Sequence, residues 1–367
     1  MLKADNAPYG SIRKIMDEGV STGVFPGGIV LWGTADEILG EVAVGHCRVT
    51  PPEPFPSVGT DTLFDLASLT KPLVTGALTL LLLAEGGFSL ETTLSDILPE
   101  SKNTEAGSAT VRQLLSHSGG LVSWAPLYEK IAMDGTSQAK KDLISLILAL
   151  PSAYERGTKD LYSDFGFILL GAALENVSGQ PLEQLFRTRL ARPLDVEDAD
   201  FLTSDSALWK RWRQGLLQIA STEVDSRTGL PLTGVVHDEH ARLTGGVSGH
   251  AGLFGTARSV WQLSRIWMEG NFFPKEWRER FRRRQEPFEW ALGWDTPTPG
   301  SSSGHYLTPD GSIGHLGYAG TSVWMDWKKD RMIVLLTNRV HPSRTNNRIR
   351  SFRPRLHDRV VAVAFSS

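Results

Sequence analysis

The 367-residue chain has only one cysteine, Cys47, which excludes an internal disulfide and any cysteine-rich metal cage. It also lacks an excess of either charge: 38 Lys and Arg face 41 Asp and Glu, so nothing predicts binding to nucleic acid. Its longest apolar run, around residues 80–84, falls far short of the roughly 18–20 residues that a membrane span needs. No basic segment leads into an apolar one after Met1, which predicts a cytoplasmic protein, or a periplasmic one whose signal peptide has been removed.

What is present is an ordinary globular composition, with 41% apolar and 22% charged residues in a length that predicts about two domains. Strand patterns occur near both ends of the chain, whereas residues from about 88 to 235 are mainly helical. This order predicts an α+β fold: an antiparallel β-sheet flanked by helices, from residues 1–87 and 240–367, and an inserted all-α domain, residues 88–239. The predicted strands are residues 27–33, 38–44, 290–294, 312–317, 322–327 and 332–337.

The first motif with chemical content is Ser68-Leu69-Thr70-Lys71, at the start of a predicted helix, residues 69–85, that is apolar on nearly every face. Ser and Lys three residues apart share one helix face, and the helix N-terminus favours negative charge developing on the serine oxygen. The lysine can then serve as a base or proton relay. Ser11 and Ser137 begin the same pattern, but in polar surroundings that would not hold the pair inside the fold.

Two further motifs lie where the chain is predicted to change element. Tyr162-Ser163-Asp164 precedes a predicted helix, residues 165–177, so the phenol can point into a cleft; an ordinary helix cap with a half-buried tyrosine is the alternative. Gly314-His315-Leu316-Gly317 lies on a predicted strand, where glycine often marks the close approach of a ligand or of another backbone. A strand bulge with an isolated histidine would have the same sequence.

Taken in order, the three motifs resemble those of the serine β-lactamase and penicillin-binding-protein-like superfamily, and most closely its class C β-lactamase-related esterases and peptidases. The resemblance extends over residues 64–341. It implies that Ser68 is the nucleophile of an acyl-enzyme mechanism, that Lys71 and Tyr162 share the proton transfer, and that no metal or organic cofactor takes part. It also implies an oxyanion hole formed by the backbone N–H groups of Ser68 and Tyr318.

A further segment narrows the resemblance. Residues 236–252, which include His237, Asp238 and His250, resemble a subgroup that contains exo-acting muramyl-alanine amidases. The resemblance implies that these residues line the cleft and bind substrate, together with three residues of the shorter motifs, Asp164, His315 and Gly317. It predicts a serine hydrolase that acts on an amide or ester of a small molecule or peptide. A peptidoglycan-derived muramyl peptide is the leading substrate hypothesis.

The motifs leave open which group accepts the serine proton. Free lysine and tyrosine titrate near about 10.4 and 10, so one of the two pKa values must be shifted for catalysis at neutral pH. Burial would let Lys71 lose its charge, whereas cationic Lys71 and His315 would favour a phenolate at Tyr162. Many members of the superfamily have lysine at the position of His315 and asparagine at that of Asp164. Both differences lower the positive charge available to hold a penicillin carboxylate, which predicts poor β-lactam turnover.

Several other functions are compatible with the sequence. A broad-specificity carboxylesterase is the main alternative, followed by a D-Ala-D-Ala carboxypeptidase or weak β-lactamase, and by an inactive ligand-binding protein of the same fold. His237, His240 and His250 permit a metal site, but their segment is glycine-rich and lacks helical His-x-x-x-His spacing, so no metal is predicted. Trp124 could stack on a sugar near the cleft, although most tryptophans are core residues.

Overall fold

The computed structural model describes residues 7–298, 300 and 304–365, without the side chains of residues 7 and 8. Within them the strands are β1 (Gly27–Gly33), β2 (Ile38–Gly45), β3 (Phe64–Asp65), β4 (Ala199–Phe201), β5 (Leu253–Gly255), β6 (Ser312–Gly317), β7 (Thr321–Asp326) and β8 (Arg331–Thr337). A five-stranded antiparallel sheet has the order β2-β1-β8-β7-β6, and a small three-stranded sheet has the order β3-β5-β4.

The helices flank these sheets and fill most of the chain between them. They are α1 (Ala7–Ser21), α2 (Ala77–Ala84), α3 (Leu94–Ile97), α4 (Val111–Leu115), α5 (Ser137–Leu148), α6 (Asp164–Ser178), α7 (Leu182–Phe186), α8 (Ala207–Arg213), α9 (Glu239–Leu243), α10 (Ala257–Met268), α11 (Lys275–Arg282) and α12 (Ile349–Ala364). An antiparallel sheet combined with separate helices confirms the predicted α+β fold.

The large sheet joins the two ends of the chain, because β1 lies between β2 and β8. Val30 on β1, for example, faces Leu335 on β8. Side chains alternate across β1: Ile29 belongs to the main core, whereas Val30 belongs to a second core formed with α1 and α12. All seven residues of β1 are buried, which explains its nearly continuous apolar sequence.

The helix that carries the first motif begins irregularly. A 3₁₀ turn at Ala67–Leu69 leads into a π-helical turn at Lys71–Gly76 and then into α2. The whole segment, Ala67–Ala84, is long and apolar enough to cross a membrane, but 83% of it is buried inside the protein. That burial is typical of a core helix, so the segment gives no firm membrane span.

Most predicted elements near the chain ends are confirmed, and one is wrong. The three strands predicted within residues 312–337 are β6, β7 and β8. A turn at Lys328, Lys329 and Asp330 joins β7 to β8. Residues 290–294, predicted as a strand, form a turn, because Gly293 has a φ of 80° and only isolated bridges flank it. The small sheet was not predicted, since strands of two or three residues leave no periodic pattern.

The predicted division into two domains stays a prediction. One continuous core contains residues from both predicted parts, including Leu73, Leu114, Phe167 and Trp267. Strand β4 lies within the predicted helical insertion, yet it pairs with β5 outside it. The sheet and the helices therefore share one interior, and the catalytic motifs meet where that interior opens to solvent.

Candidate active site

The nucleophile candidate Ser68 lies in the first turn of the central helix, directly after a strained residue. Ala67 has a φ of 49°, in the left-handed region that non-glycine residues seldom adopt. Asp65 stabilises this turn, because its Oδ1 accepts a hydrogen bond of 2.8 Å from the Ala67 N–H. Its Oδ2 accepts another, of 2.7 Å, from the N–H of His237. No motif pointed to Asp65, which connects the turn at Ser68 to the segment around His237.

Lys71 is wholly buried and uses its three donors on three different partners. Its Nζ donates to Ser68 Oγ at 3.0 Å, to Asp164 Oδ1 at 2.7 Å and to the main-chain oxygen of His250 at 3.1 Å. Burial alone would lower the pKa of Lys71, but the charge and hydrogen bond of Asp164, with a smaller contribution from Tyr162, raise it above its usual value. Lys71 is therefore an ammonium in the resting site.

Tyr162 completes the contact between the first two motifs. Lys71 Nζ lies 4.9 Å from the centre of its ring. Burial raises the pKa of Tyr162, and the opposing effect of Lys71 does not reverse this. The resting residue is thus a neutral phenol, which differs from the phenolate that the sequence left open.

The ring of His117 packs against the ring of Tyr162. It lies 4.5 Å from that of Tyr162 and 4.5 Å from that of Trp290, between centres. Its Nδ1 accepts a hydrogen bond of 3.1 Å from the Ser163 N–H, and burial lowers the pKa of His117 well below the usual value. A neutral imidazole therefore fixes both Tyr162 and the start of α6. No role was predicted for His117 from the sequence.

The third motif brings β6 against the nucleophile. A side chain at Gly317 would place its Cβ 2.0 Å from Thr321 Oγ1 and 2.6 Å from the Leu66 oxygen, so only glycine fits. His315 Nδ1 contacts the Leu316 oxygen at 2.9 Å. Burial, helped by the charge of Lys71, lowers the pKa of His315 to about 3. His315 is therefore neutral near pH 7 and adds no positive charge beside Tyr162.

The motifs open into a cleft of about 750 Å³. Ser68, Tyr162, His315 and Gly317 lie on its floor side, and Tyr318, 52% exposed, stands at the edge. Four arginines also line the cleft: Arg339, Arg344, Arg350 and Arg353. Arg344 is paired with Glu223 and Glu239, and Arg339 donates to main-chain oxygens, so these two guanidinium groups shape the cleft and already have partners.

Tyr318 is held from two sides. Arg339 Nε donates to its main-chain oxygen at 2.9 Å, and the Arg339 guanidinium lies 4.5 Å from its ring centre. The ring of His237 stacks on it at 5.8 Å and 22°. Both residues predicted to form the oxyanion hole, Ser68 and Tyr318, line the cleft, and their role as N–H donors stays a prediction.

The remaining predicted site residues lie at different distances from the cleft. His237 contacts Glu223 and Tyr318 near the cleft edge. Asp164 faces Lys71, with which it forms an ion pair. Asp238 and His250 lie behind Lys71, where with His240 they form the one cluster among the described residues that could hold a metal ion. Substrate contact by these residues stays a prediction.

Trp124, which could have stacked on a sugar, contacts Tyr128 and His240, and it is not among the residues that line the cleft.

Comparison with known proteins gives one consistent result. A family model described as Beta-lactamase matches residues 12–353. A putative D-alanyl-D-alanine carboxypeptidase of Escherichia coli K12 is 32% identical over 344 aligned residues, covering 84% of this chain and 75% of that protein. A protein of Salmonella agona with the same description is 29% identical over 352 residues, covering 87% and 77%.

Solved structures show the same fold at low sequence identity. EstCE1, described as a hydrolase with promiscuous acyltransferase activity, has a TM-score of 0.73 at 20% identity and covers 94% of this chain and 98% of its own. The simvastatin synthase LovD from Aspergillus terreus has a TM-score of 0.75 at 18% identity, with 98% and 99% covered. An octameric penicillin-binding protein homologue from Pyrococcus abyssi has a TM-score of 0.72 at 18% identity, with 97% and 76% covered.

Proposed function

Because the chain belongs to the beta-lactamase family and is a serine hydrolase, we propose that it cleaves an amide of a peptidoglycan-derived muramyl peptide through an acyl-enzyme at Ser68. One observation carries the proposal. Ser68 Oγ lies 3.0 Å from the Lys71 ammonium at the base of a cleft that four arginines line. A peptide fragment with free carboxylates matches the basic character of that cleft, whereas a neutral ester would gain nothing from it.

The resting charges assign the proton transfers. Ser68 Oγ attacks the carbonyl carbon and gives its proton to the Tyr162 oxygen, while the Tyr162 hydroxyl proton passes to the departing nitrogen. Lys71 remains an ammonium and stabilises the negative charge that develops on the phenol oxygen during this exchange. Water then attacks the acyl group by the same steps in reverse, which returns Ser68 and Tyr162 to their starting protonation states.

Asp164 keeps this arrangement in its working charge state. Its carboxylate accepts from Lys71 at 2.7 Å, so the buried ammonium does not lose its proton to the low-polarity surroundings. The peptide N–H groups of Ser68 and Tyr318 would bind the oxyanion of the tetrahedral intermediate. Removing one such donor typically lowers kcat by about 100–1,000-fold.

A D-Ala-D-Ala carboxypeptidase is the second candidate. Relatives with that putative description are up to 32% identical, and the arginine-lined cleft would also fit a C-terminal carboxylate. The two activities use the same nucleophile but differ in the scissile amide. Substrates that differ only at this position therefore distinguish them.

A substrate panel tests the proposal. Muramyl peptides, D-Ala-D-Ala peptides, p-nitrophenyl esters and nitrocefin are each incubated with wild type and with Ser68→Ala. We expect the highest kcat/KM for muramyl peptides and no activity for Ser68→Ala. Nitrocefin should be a poor substrate, because His315 is neutral and cannot replace a lysine at this position.

The same panel can contradict the proposal. Turnover of short esters with no cleavage of muramyl peptides would support the esterase instead. Release of D-alanine alone would support the carboxypeptidase. If a fluorophosphonate fails to add to wild type in intact-mass analysis, Ser68 is not a nucleophile and the non-catalytic alternative stands.

A further inference from the structure

We propose that Asp238, His240 and His250 form a binding site for one divalent transition-metal ion, with zinc as the best chemical match. A carboxylate oxygen of Asp238 and one ring nitrogen of each histidine all lie within 4.8 Å of one another. Two imidazoles and one carboxylate are a donor set that zinc accepts, with a fourth position left for water. The site adjoins Lys71, which donates to the main-chain oxygen of His250, and none of its three residues is among those that line the cleft.

The ligand positions are close to those that a zinc ion requires. Bonds of about 2.0–2.2 Å in a tetrahedral arrangement separate neighbouring ligand atoms by about 3.3–3.5 Å. Asp238 Oδ1 and His250 Nε2 are now 2.8 Å apart, and the largest separation in the cluster is 4.8 Å or less. Side-chain shifts on the order of 1 Å therefore bring all three atoms into range.

His240 provides the independent evidence. Its side chain is fully buried, and neither ring nitrogen has a hydrogen-bond partner among the described residues. The aromatic rings of Trp124, Tyr128 and Phe165 lie around it, and none of these residues forms a hydrogen bond with its ring nitrogens. A buried imidazole without any partner is unfavourable, and a metal ion facing Asp238 and His250 would satisfy it.

The other two ligands already have the outer contacts that zinc ligands usually have. His250 Nδ1 contacts Ser248 Oγ at 2.8 Å, which leaves Nε2 directed at Asp238. Asp238 also accepts a hydrogen bond of 2.8 Å from the Ala241 N–H, because it caps the N-terminus of α9. These contacts orient the donor atoms before any ion binds.

The local charge also favours a divalent cation. Asp164 is paired with Lys71, whereas the buried Asp65 and the partly buried Asp238 form no ion pair with lysine or arginine in the part of the chain that the structure describes. A divalent ion bound at Asp238 would therefore meet a carboxylate that no lysine or arginine neutralises.

The site has a direct connection to the catalytic lysine. The main-chain oxygen of His250 accepts a hydrogen bond from Lys71 Nζ, so anchoring the His250 side chain also fixes one of the three acceptors of that ammonium. The sequence predicted no metal here because the spacing is not that of a zinc-binding helix. The structure brings His250 beside α9 through the intervening glycine-rich turn, which the linear spacing could not show.

Zinc binding to the whole protein tests the proposal. The purified chain is treated with EDTA, freed of chelator and titrated with zinc against a chromophoric competitor. We expect one zinc per chain, a higher Tm with zinc, and visible absorption of a tetrahedral site when cobalt replaces zinc. His240→Ala should weaken zinc binding by at least about 10–100-fold, the loss that even an outer-shell change causes.

A matched control separates this site from adventitious binding. His305 forms an exposed pair with Asp358, so His305→Ala removes a surface His–Asp pair and should leave the zinc stoichiometry at one. If His240→Ala does not fold, His240→Asn keeps a polar side chain of similar reach, and the cobalt spectrum should still be lost. Wild type that binds no zinc, or binds it equally well after either His240 substitution, would overturn the proposal and leave a hydrogen-bonded Asp238–His250–Ser248 network.

Discussion

The Asp164 carboxylate sets the charge of the catalytic lysine. It lies 2.7 Å from Lys71 Nζ, and its effect outweighs the burial that would otherwise lower the pKa of the amine. The family resemblance had suggested only a substrate-binding role for this residue. The proposed mechanism has a consequence for the pH dependence of catalysis, because in it Lys71 remains protonated while Tyr162 exchanges its proton.

Replacing Asp164 with asparagine should move the alkaline limit of activity. In Asp164→Asn the ammonium loses its counter-charge and burial dominates, so the pKa of Lys71 falls. The alkaline limb of kcat/KM should therefore shift to lower pH by about 1–3 units, the usual effect of one close opposite charge. Asp164→Glu keeps the charge and serves as the control. An unchanged pH profile in Asp164→Asn would show that Lys71 does not act as a cation.

At the scale of elements, the sequence predicts long and strongly patterned segments well. The core helix, α6 and the three strands β6 to β8 were all recognised, because apolar periodicity or glycine boundaries mark them. The turn at 290–294 was mistaken for a strand, since its tryptophans and apolar neighbours resemble strand residues, whereas Gly293 reverses the chain. Asp65 was missed for a different reason: a lone buried aspartate acquires its role only through distant partners.

The site was predicted to a similar extent. Ser68, Lys71 and Tyr162 follow from motifs, and the structure brings them together. Charge states could not be predicted in the same way. The neutral state of His315 and the ammonium of Lys71 depend on burial and on Asp164, neither of which local sequence reveals. Motifs identify the groups, and the packing of separate elements decides their protonation.

The close approach of β6 to the nucleophile predicts a strong effect of one methyl group. In Gly317→Ala the new Cβ would lie 2.6 Å from the Leu66 oxygen, so β6 must move away from the turn that holds Ser68. Displacing the adjacent Tyr318 N–H should lower kcat by about 100–1,000-fold, as for loss of an oxyanion donor. Gly10→Ala, in α1 with open space around it, is the control. Wild-type kcat in a folded Gly317→Ala variant would contradict the oxyanion assignment.

At the scale of the whole molecule, the two faces of the large sheet pack against two different cores. One face supports the catalytic motifs, and the other packs against α1 and α12 in a second core that contains Leu356. Stability and catalysis should therefore be separable. Leu356→Ala removes a fully buried side chain and should lower the free energy of unfolding by about 2–5 kcal/mol. The kcat/KM measured well below the Tm should stay near the wild-type value, because Leu356 does not line the cleft, although Arg350 and Arg353 of the same helix do.

Denaturant unfolding, together with kcat/KM measured at 20–25 °C, decides this prediction. Leu216→Ala is the matched control, since Leu216 is 65% exposed and its removal should change the free energy of unfolding by less than about 0.5 kcal/mol. The continuous main core further predicts that wild type and Leu356→Ala both unfold in one cooperative transition, with the variant at lower denaturant. A separate early transition with loss of activity would show instead that the sheet and the helical insertion unfold as independent domains. A folded Leu356→Ala variant with reduced kcat/KM would show that the second core positions Arg350 and Arg353 of α12 in the cleft.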